Sequence, residues 1–354
     1  MNAATVARQG ARGARLLAVN EFGLVSHHTA GDLPALLRRG DLVIANDAAT
    51  LPASLHGTHV PTGRPIEVRL AGRLSLSPHA VRRFTVVVFG SGDYRTPTEH
   101  REPPPNLTAG DELALRSLRA VVIAVLGHPR LVELEFQHAP EEIWEGIARH
   151  GRPIQYAYVP EPLALWDTWT CIASAPVAFE APSAGFVLDW AMLRAIRAQG
   201  ARFATITHAA GLSSTGDENL DRLLPFDEPY VIPAATAALI HQTRMLGGRV
   251  IAIGTTVVRA LEHCVREHGR VKAGDGLATL RLGPDSPLVV VDAIVSGMHE
   301  RGSSHYELLR AFQKDSALAR MAEQAEAGGY RAHEFGDGIF LSRAFRLEEM
   351  RTSA

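Results

Sequence analysis

The sequence predicts an α/β protein, a mixed sheet with helices on its faces, into which a small antiparallel β-barrel-like domain is inserted. Two observations carry this. In the second half, buried-strand runs of β-branched and apolar residues alternate with helical periodicities. Between about 57 and 137 the spacing changes to short alternating runs split by Gly, Pro and Asn turns, as in a small barrel or sandwich. The expected division is an α/β body of residues 1–56 and 138–354, taken as the catalytic domain, and an inserted barrel of residues 57–137.

Residues 1–13 are rich in Ala, Gly and Arg and are expected to be loose. Arg15 to Asn20 reads as a strand, Leu33 to Arg39 as a short helix, and Gly40 to Asn46 as a buried strand; Asp47 to Leu55, with Pro52, reads as a loop. In the barrel, strands are expected at Ile66 to Leu70, Arg83 to Phe89, Glu112 to Leu115, Ala120 to Val125 and Arg130 to Phe136. Glu141 to His150 is a returning helix. Phe186 to Gln199 is an amphipathic helix closed by Gly200, followed by a strand at Arg202 to Thr207.

The centre of the second half is VIAIGTTVVRALE, Val250 to Glu262. A helix from Pro233 to Leu246 precedes it. Arg249 to Ile253 forms a buried strand, Gly254 breaks it, and Val257, Val258, Leu261 and Cys264 define a helix that Thr255 or Thr256 can cap. Strand, Gly-Thr-Thr turn and helix together aim free N–H groups and a helix dipole at one spot, which suits a carboxylate or another anion. Strands at Leu277 to Leu282 and Leu288 to Val295, helices at Ser303 to Phe312 and Ser316 to Ala327, and a last strand at Gly338 to Leu341 complete the chain.

Composition narrows the function classes. The 354 residues are enough for two domains and a large core. With 46% hydrophobic and 21% charged residues the chain reads as globular. A net charge of −2 and a sequence pI of about 6.8 exclude a generally basic nucleic-acid binder, so any RNA contact must use a local patch. Cys171 and Cys264 alone make no disulfide scaffold or cysteine-ligated zinc site. The N-terminus has no apolar signal region, and no apolar run approaches about 18 residues, so the expected location is cytoplasmic with no membrane partner. No metal is expected, since His299-Glu300 lacks a second His four residues on.

His208 ends a strand before a Gly/Ser/Thr loop, and His299 ends another before Glu300-Arg301-Gly302-Ser303-Ser304. Residues at the carboxyl ends of strands in an open α/β sheet line its ligand crevice. That draws His208, Gly254-Thr255-Thr256 and His299 towards one candidate site.

In order, the blocks Gly40-Asp41-Leu42-Val43 with Asn46, Pro52-Ala53, Ile66-Glu67-Val68, Ala181-Pro182-Ser183-Ala184-Gly185, His208, Glu228, the Gly254 to Glu262 run, Asp292-Ala293, His299, Ser303, Tyr330-Arg331 and Gly336-Asp337 cover almost the whole chain. Together they resemble the S-adenosylmethionine:tRNA ribosyltransferase-isomerase family of queuosine biosynthesis, as a divergent member. The resemblance implies transfer and isomerisation of the ribosyl part of S-adenosylmethionine, used as co-substrate, onto the aminomethyl group of a 7-deazaguanine in tRNA, with release of adenine and methionine. It implies an α/β body with an inserted barrel. It assigns Ser183, Ala184, Gly185, Gly254, Thr255, Thr256 and Arg259 to the S-adenosylmethionine side, and His208, Glu228, His299 and Asp337 to proton transfer or hydroxyl binding, without deciding which does which.

The chain also departs from that family. Ala49 and Ser54 stand where the family carries arginines, which would suit phosphate or base recognition. Val187, Phe226 and Met298 replace polar or aromatic positions, while His333 and Glu334 are introduced. The donor side is kept and the acceptor side is rebuilt, so tRNA is a weakened partner. Two alternatives therefore stand beside the family activity: an S-adenosylmethionine-dependent paralogue acting on a small molecule or peptide, and a non-catalytic ligand-binding relative.

Overall fold

The computed structural model describes residues 1–7 and 11–344; residues 8–10 of the expected loose N-terminus lie outside the described residues. The body is built on a nine-stranded mixed sheet. Its order is Gly274–Ala278, Glu228–Ile232, Arg202–His208, Leu42–Asn46, Val250–Ile253, Ala293–Gly297, Gly338–Ser342, Arg15–Val19 and Val25–Thr29. The four strands from Arg202–His208 to Ala293–Gly297 are parallel, with Leu42 paired to both Arg202 and Val250. The neighbours on either side of this parallel group, Glu228–Ile232 and Gly338–Ser342, run antiparallel to it.

Leu42–Asn46 shows why this strand is central. All five residues are buried, and the two-residue period of a strand sends them to opposite faces. Leu42 and Ile44 join one core with Val257, Val258, Leu261 and Cys264 of the helix Thr255–His268. Val43 and Ala45 join the other with Met192, Leu193 and Ile196 of the helix Trp190–Ala198. Burial of each such Val, Leu or Ile contributes about 1.5–3 kcal/mol, so the sheet is held from both sides.

The barrel is closed by six antiparallel strands, in the order Leu118–His128, Leu131–Phe136, Arg83–Phe89, Arg64–Gly72, Ser54–His59 and Glu112–Leu115. Its seam runs through Gly57, where a Cβ would stand 2.1 Å from the Ala114 carbonyl, so only glycine fits. The barrel strands start at Ser54, within the segment expected to be loop. Phe84 meets Phe136 and Phe179 edge-on at 5.8 and 6.1 Å. Phe179, Leu212 and Leu220 of the body share the barrel's core, so the barrel braces the loop that follows His208.

Several expected elements are corrected. The helix expected from Phe186 begins at Trp190, because Asp189 caps it by accepting the Met192 N–H at 2.5 Å; Ser183–Val187 is a separate 3₁₀ turn. The cap of the helix Thr255–His268 is Gly254 at φ 97°, rather than a threonine. The strand expected from Leu288 begins only at Ala293. The N–H groups of Val289, Val290 and Val291 are taken by the Glu262 carboxylate at 2.8–2.9 Å and are lost to any ladder. The strand expected to reach Leu282 ends at Ala278, since Arg259 claims the carbonyls of Ala278 and Leu280. Within residues 1–7, expected to be loose, Asn2–Ala3 pairs with Arg331–Ala332, and Ala4 is buried. The edge strand Val25–Thr29 was not foreseen, because a half-exposed VSHHT carries no apolar alternation.

Candidate active site

The carboxyl ends of the parallel strands open into a cavity of about 700 Å³. Asn46 joins these ends. Its Oδ1 accepts the His208 N–H at 2.9 Å and its Nδ2 donates to the His208 carbonyl at 2.9 Å. Beside it, Gly254, Thr255 and Thr256 line the cavity floor. The Gly254 N–H is taken by the Val295 carbonyl at 2.8 Å, whereas helix geometry leaves the first-turn N–H groups that follow it without intrahelical acceptors. Ser183 and Ala184 stand opposite, with the Ala184 Cβ 3.5 Å from where a Gly254 Cβ would be.

Glu228 and His299 line the same cavity. Glu228 is buried and tightly held: it accepts the Gly211 N–H at 2.6 Å and an Arg259 N–H. Burial pushes its carboxyl above the usual range, against the pull of Arg259. Arg259 also lines the cavity, and three more of its five N–H donors go to the carbonyls of Leu280, Ala278 and Phe226, at 2.9–3.1 Å. Its guanidinium therefore positions Glu228, and the resemblance had placed it on the donor. The His299 Nε2 is 2.8 Å from the Ser296 hydroxyl, and its ring stacks on His305 at 4.8 Å. Burial first, then His305 and His333, hold its pKa well below the ordinary value, so the imidazole is neutral.

Three candidates sit outside the cavity lining. His208 is fully buried behind Glu228, its Nε2 3.5 Å from the carboxylate and its ring stacked on Tyr230. Gly185 packs against Thr170, where a Cβ would meet the Thr170 methyl at 2.8 Å. Asp337 is tied to Arg15 and Arg331, accepting both backbone N–H groups at 2.8 Å and pairing with the Arg15 guanidinium at 3.0 Å. It fastens the N-terminal strand to the last one.

Sequence reasoning missed Glu180 and His305, both in the lining. An acid directly before Ala181-Pro182-Ser183, within an apolar run, was the available signal for the first; the second lies six residues after His299. Of the replaced positions, Met298, His333 and Glu334 line the cavity, whereas Val187 and Phe226 do not. Among the described residues no group of three or more His, Cys, Asp and Glu is placed to hold a metal ion, and no helix is long and apolar enough to cross a membrane.

Fold and site together define a mixed α/β protein that carries a closed antiparallel barrel and a ligand pocket at its parallel strand ends. The chain belongs to the family described as queuosine biosynthesis protein, which it matches over residues 2–341. It is 31% identical to a protein of Thiobacillus denitrificans named S-adenosylmethionine:tRNA ribosyltransferase-isomerase, covering 94% of this chain and 92% of that one. A relative of the same name from Anaeromyxobacter dehalogenans is 32% identical, covering 91% and 90%. The crystal structure of S-adenosylmethionine tRNA ribosyltransferase from Thermotoga maritima shares the fold, with a TM-score of 0.51 at 21% identity over 96% of this chain and 95% of that one.

Proposed function

We propose that the protein is a ribosyltransferase-isomerase that takes S-adenosylmethionine as its ribosyl donor and, as its relatives' names state for them, tRNA as the acceptor. The observation that carries this is the Gly254–Thr256 turn, which opens into the cavity beside Glu228 and His299. The donor's carboxylate would sit on the turn's N–H groups, and Thr255 adds a hydroxyl. Glu228, aligned by Arg259 and Gly211, is placed for a ribose hydroxyl or a proton, with His299 on the neighbouring strand end. His208 packs behind Glu228 with neither ring nitrogen hydrogen-bonded among the described residues, Asp337 secures the sheet edge, and Ser183 and Ala184 would close the donor side. Work on tRNA would place the enzyme in the cytoplasm.

Calorimetry with S-adenosylmethionine tests the donor. Thr255→Val keeps the side-chain shape and removes the hydroxyl, and is expected to weaken binding by about 1–3 kcal/mol. Unchanged affinity would move the carboxylate elsewhere.

A small-molecule or peptide acceptor is the second reading, favoured by the rebuilt wall around His333 and Glu334. The missing arginines do not decide against tRNA. Positions 49 and 54 are buried, and the Ser54 hydroxyl donates to Glu67 on the covered outer face of the barrel at 2.8 Å, so neither position meets solvent in this fold. Filter binding of tRNA at two salt concentrations, with adenine release measured in parallel, separates the readings. Direct phosphate contacts make log affinity fall about 0.9 per duplex phosphate neutralised with log salt. Tight binding with tRNA-dependent release supports the first reading; release driven by a small acceptor supports the second.

A further inference from the structure

Two acids on one wall of the cavity are left unused by the donor. Glu180 is buried; it accepts the Ser213 N–H at 3.0 Å and the Tyr156 hydroxyl. Glu334 accepts the Tyr158 hydroxyl. The rings of Tyr156 and Tyr158 stack at 5.8 Å and His333 stacks on Tyr158 at 4.4 Å, so one aromatic column braces both carboxylates. Both acids line the cavity.

No Lys or Arg pairs with either acid among the described residues. Arg259 is spent on Glu228, and Arg222 pairs with Glu218. Arg69, 5.7 Å from the Tyr156 ring, feels the Glu180 charge, but its ion pair is with Glu67 and it makes no hydrogen bond to Glu180. Burial first, and Glu334 second, push the Glu180 carboxyl up to about 7. A carboxyl raised that far by burial and by a neighbouring acid carries a proton in a large share of molecules at neutral pH. A cation that donates hydrogen bonds to both is the natural replacement for that proton.

We propose that Glu180 and Glu334 form the seat for a protonated primary amine of the acceptor, and that Glu180 takes its proton. This rests on the donor assignment above. In the step, one N–H bond of the ammonium breaks, the proton passes to a Glu180 oxygen, and the electron pair stays on nitrogen as the lone pair needed for attack. The proton that Glu180 carries beforehand leaves to solvent when the ammonium arrives. The chemistry is the same whether the amine is carried by tRNA or by a free heterocycle.

The test is calorimetry on the full chain at pH 7, in two buffers of different ionisation heat. Three probes are used: 7-aminomethyl-7-deazaguanine, its 7-methyl counterpart and S-adenosylmethionine. The amine is expected to bind at least about tenfold tighter than the methyl probe, one decade being about 1.4 kcal/mol, with a buffer-dependent heat that reports proton release. Glu180→Gln and Glu334→Gln, checked by thermal melts, should each erase that advantage and leave S-adenosylmethionine affinity within about twofold. Equal binding of the two bases, or binding of neither, overturns the proposal. So does a loss of S-adenosylmethionine affinity in both variants, because the donor's own ammonium or sulfonium would then occupy the seat. Failure of S-adenosylmethionine to bind the unaltered protein would instead refute the donor assignment and leave the comparison of the two bases readable.

Discussion

Arg259→Met is expected to lower the stability of the fold by about 3–5 kcal/mol, the usual cost of removing one partner of a buried ion pair. The size follows from what the guanidinium holds. Glu228 is 5% exposed, and without Arg259 its charge keeps the Gly211 N–H as its one strong partner. The carbonyls of Leu280, Ala278 and Phe226 lose their donor in the same step. Urea unfolding at neutral pH measures the loss. Its pH dependence has a definite sign: burial already raises the Glu228 pKa and loss of Arg259 raises it further, so the deficit should shrink as pH falls and the carboxyl takes up a proton. Adding Glu228→Gln should recover part of the stability, since the uncompensated charge is gone. A deficit below about 1 kcal/mol, or one that grows in acid, would show that the pair is not the clamp described.

The same pair shows what could be read from the chain. Gly254, the strand before it and the helix after it were legible because each depends on neighbours within a few residues: an apolar run, a break, a 3.6-residue period. The tasks of Arg259 and Glu262 were not. They face Glu228 and the Val289–Val291 backbone, roughly 30 residues away, and only the folded sheet brings these together. Those contacts also explain why two strands end where periodicity alone would continue them. The contacts of Asp337 were hidden for a related reason. A Gly-Asp pair before a strand resembles a ligand turn, but its partner is Arg15, 322 residues away.

The barrel and the mixed sheet were visible in outline because alternation and turn spacing report them directly. The acceptor wall was not, because its parts come from four distant segments: Tyr156 and Tyr158, Glu180, Ser213, and His333 with Glu334. No local pattern marks a tyrosine that will hold a glutamate from another loop. Positions 49 and 54 teach the reverse lesson. An absent arginine suggested a lost RNA contact, but the fold buries both sites, and in the barrel Arg69 and Arg101 already surround Glu67. Those two guanidiniums overcome burial and hold the Glu67 carboxyl down at about 2.

The chemical step should fall most steeply in His299→Gln, with adenine release from S-adenosylmethionine reduced by about 10²–10⁴-fold, the range for removing a general acid or base. His299 lines the cavity, whereas His208 lies behind Glu228, so His208→Gln should cost less and act through the packing around that carboxylate. The groups facing the His299 ring are Ser296, His305 and His333, and none is an acid that would favour the imidazolium. Its depressed pKa keeps the ring unprotonated from neutral pH down into mild acid. A base in that state adds no slope of its own between about pH 6 and 8, because its protonation begins below the ordinary histidine value of about 6.5; a slope there belongs to Glu180, raised to about 7. Single-turnover release across that range, with thermal melts to show an intact fold, reads both features. A loss under tenfold in the folded His299→Gln protein would transfer the proton step to Glu228. A rise from pH 6 to pH 8 that persists in Glu180→Gln would show the ring to be charged, and the neutral imidazole assigned to it would be wrong.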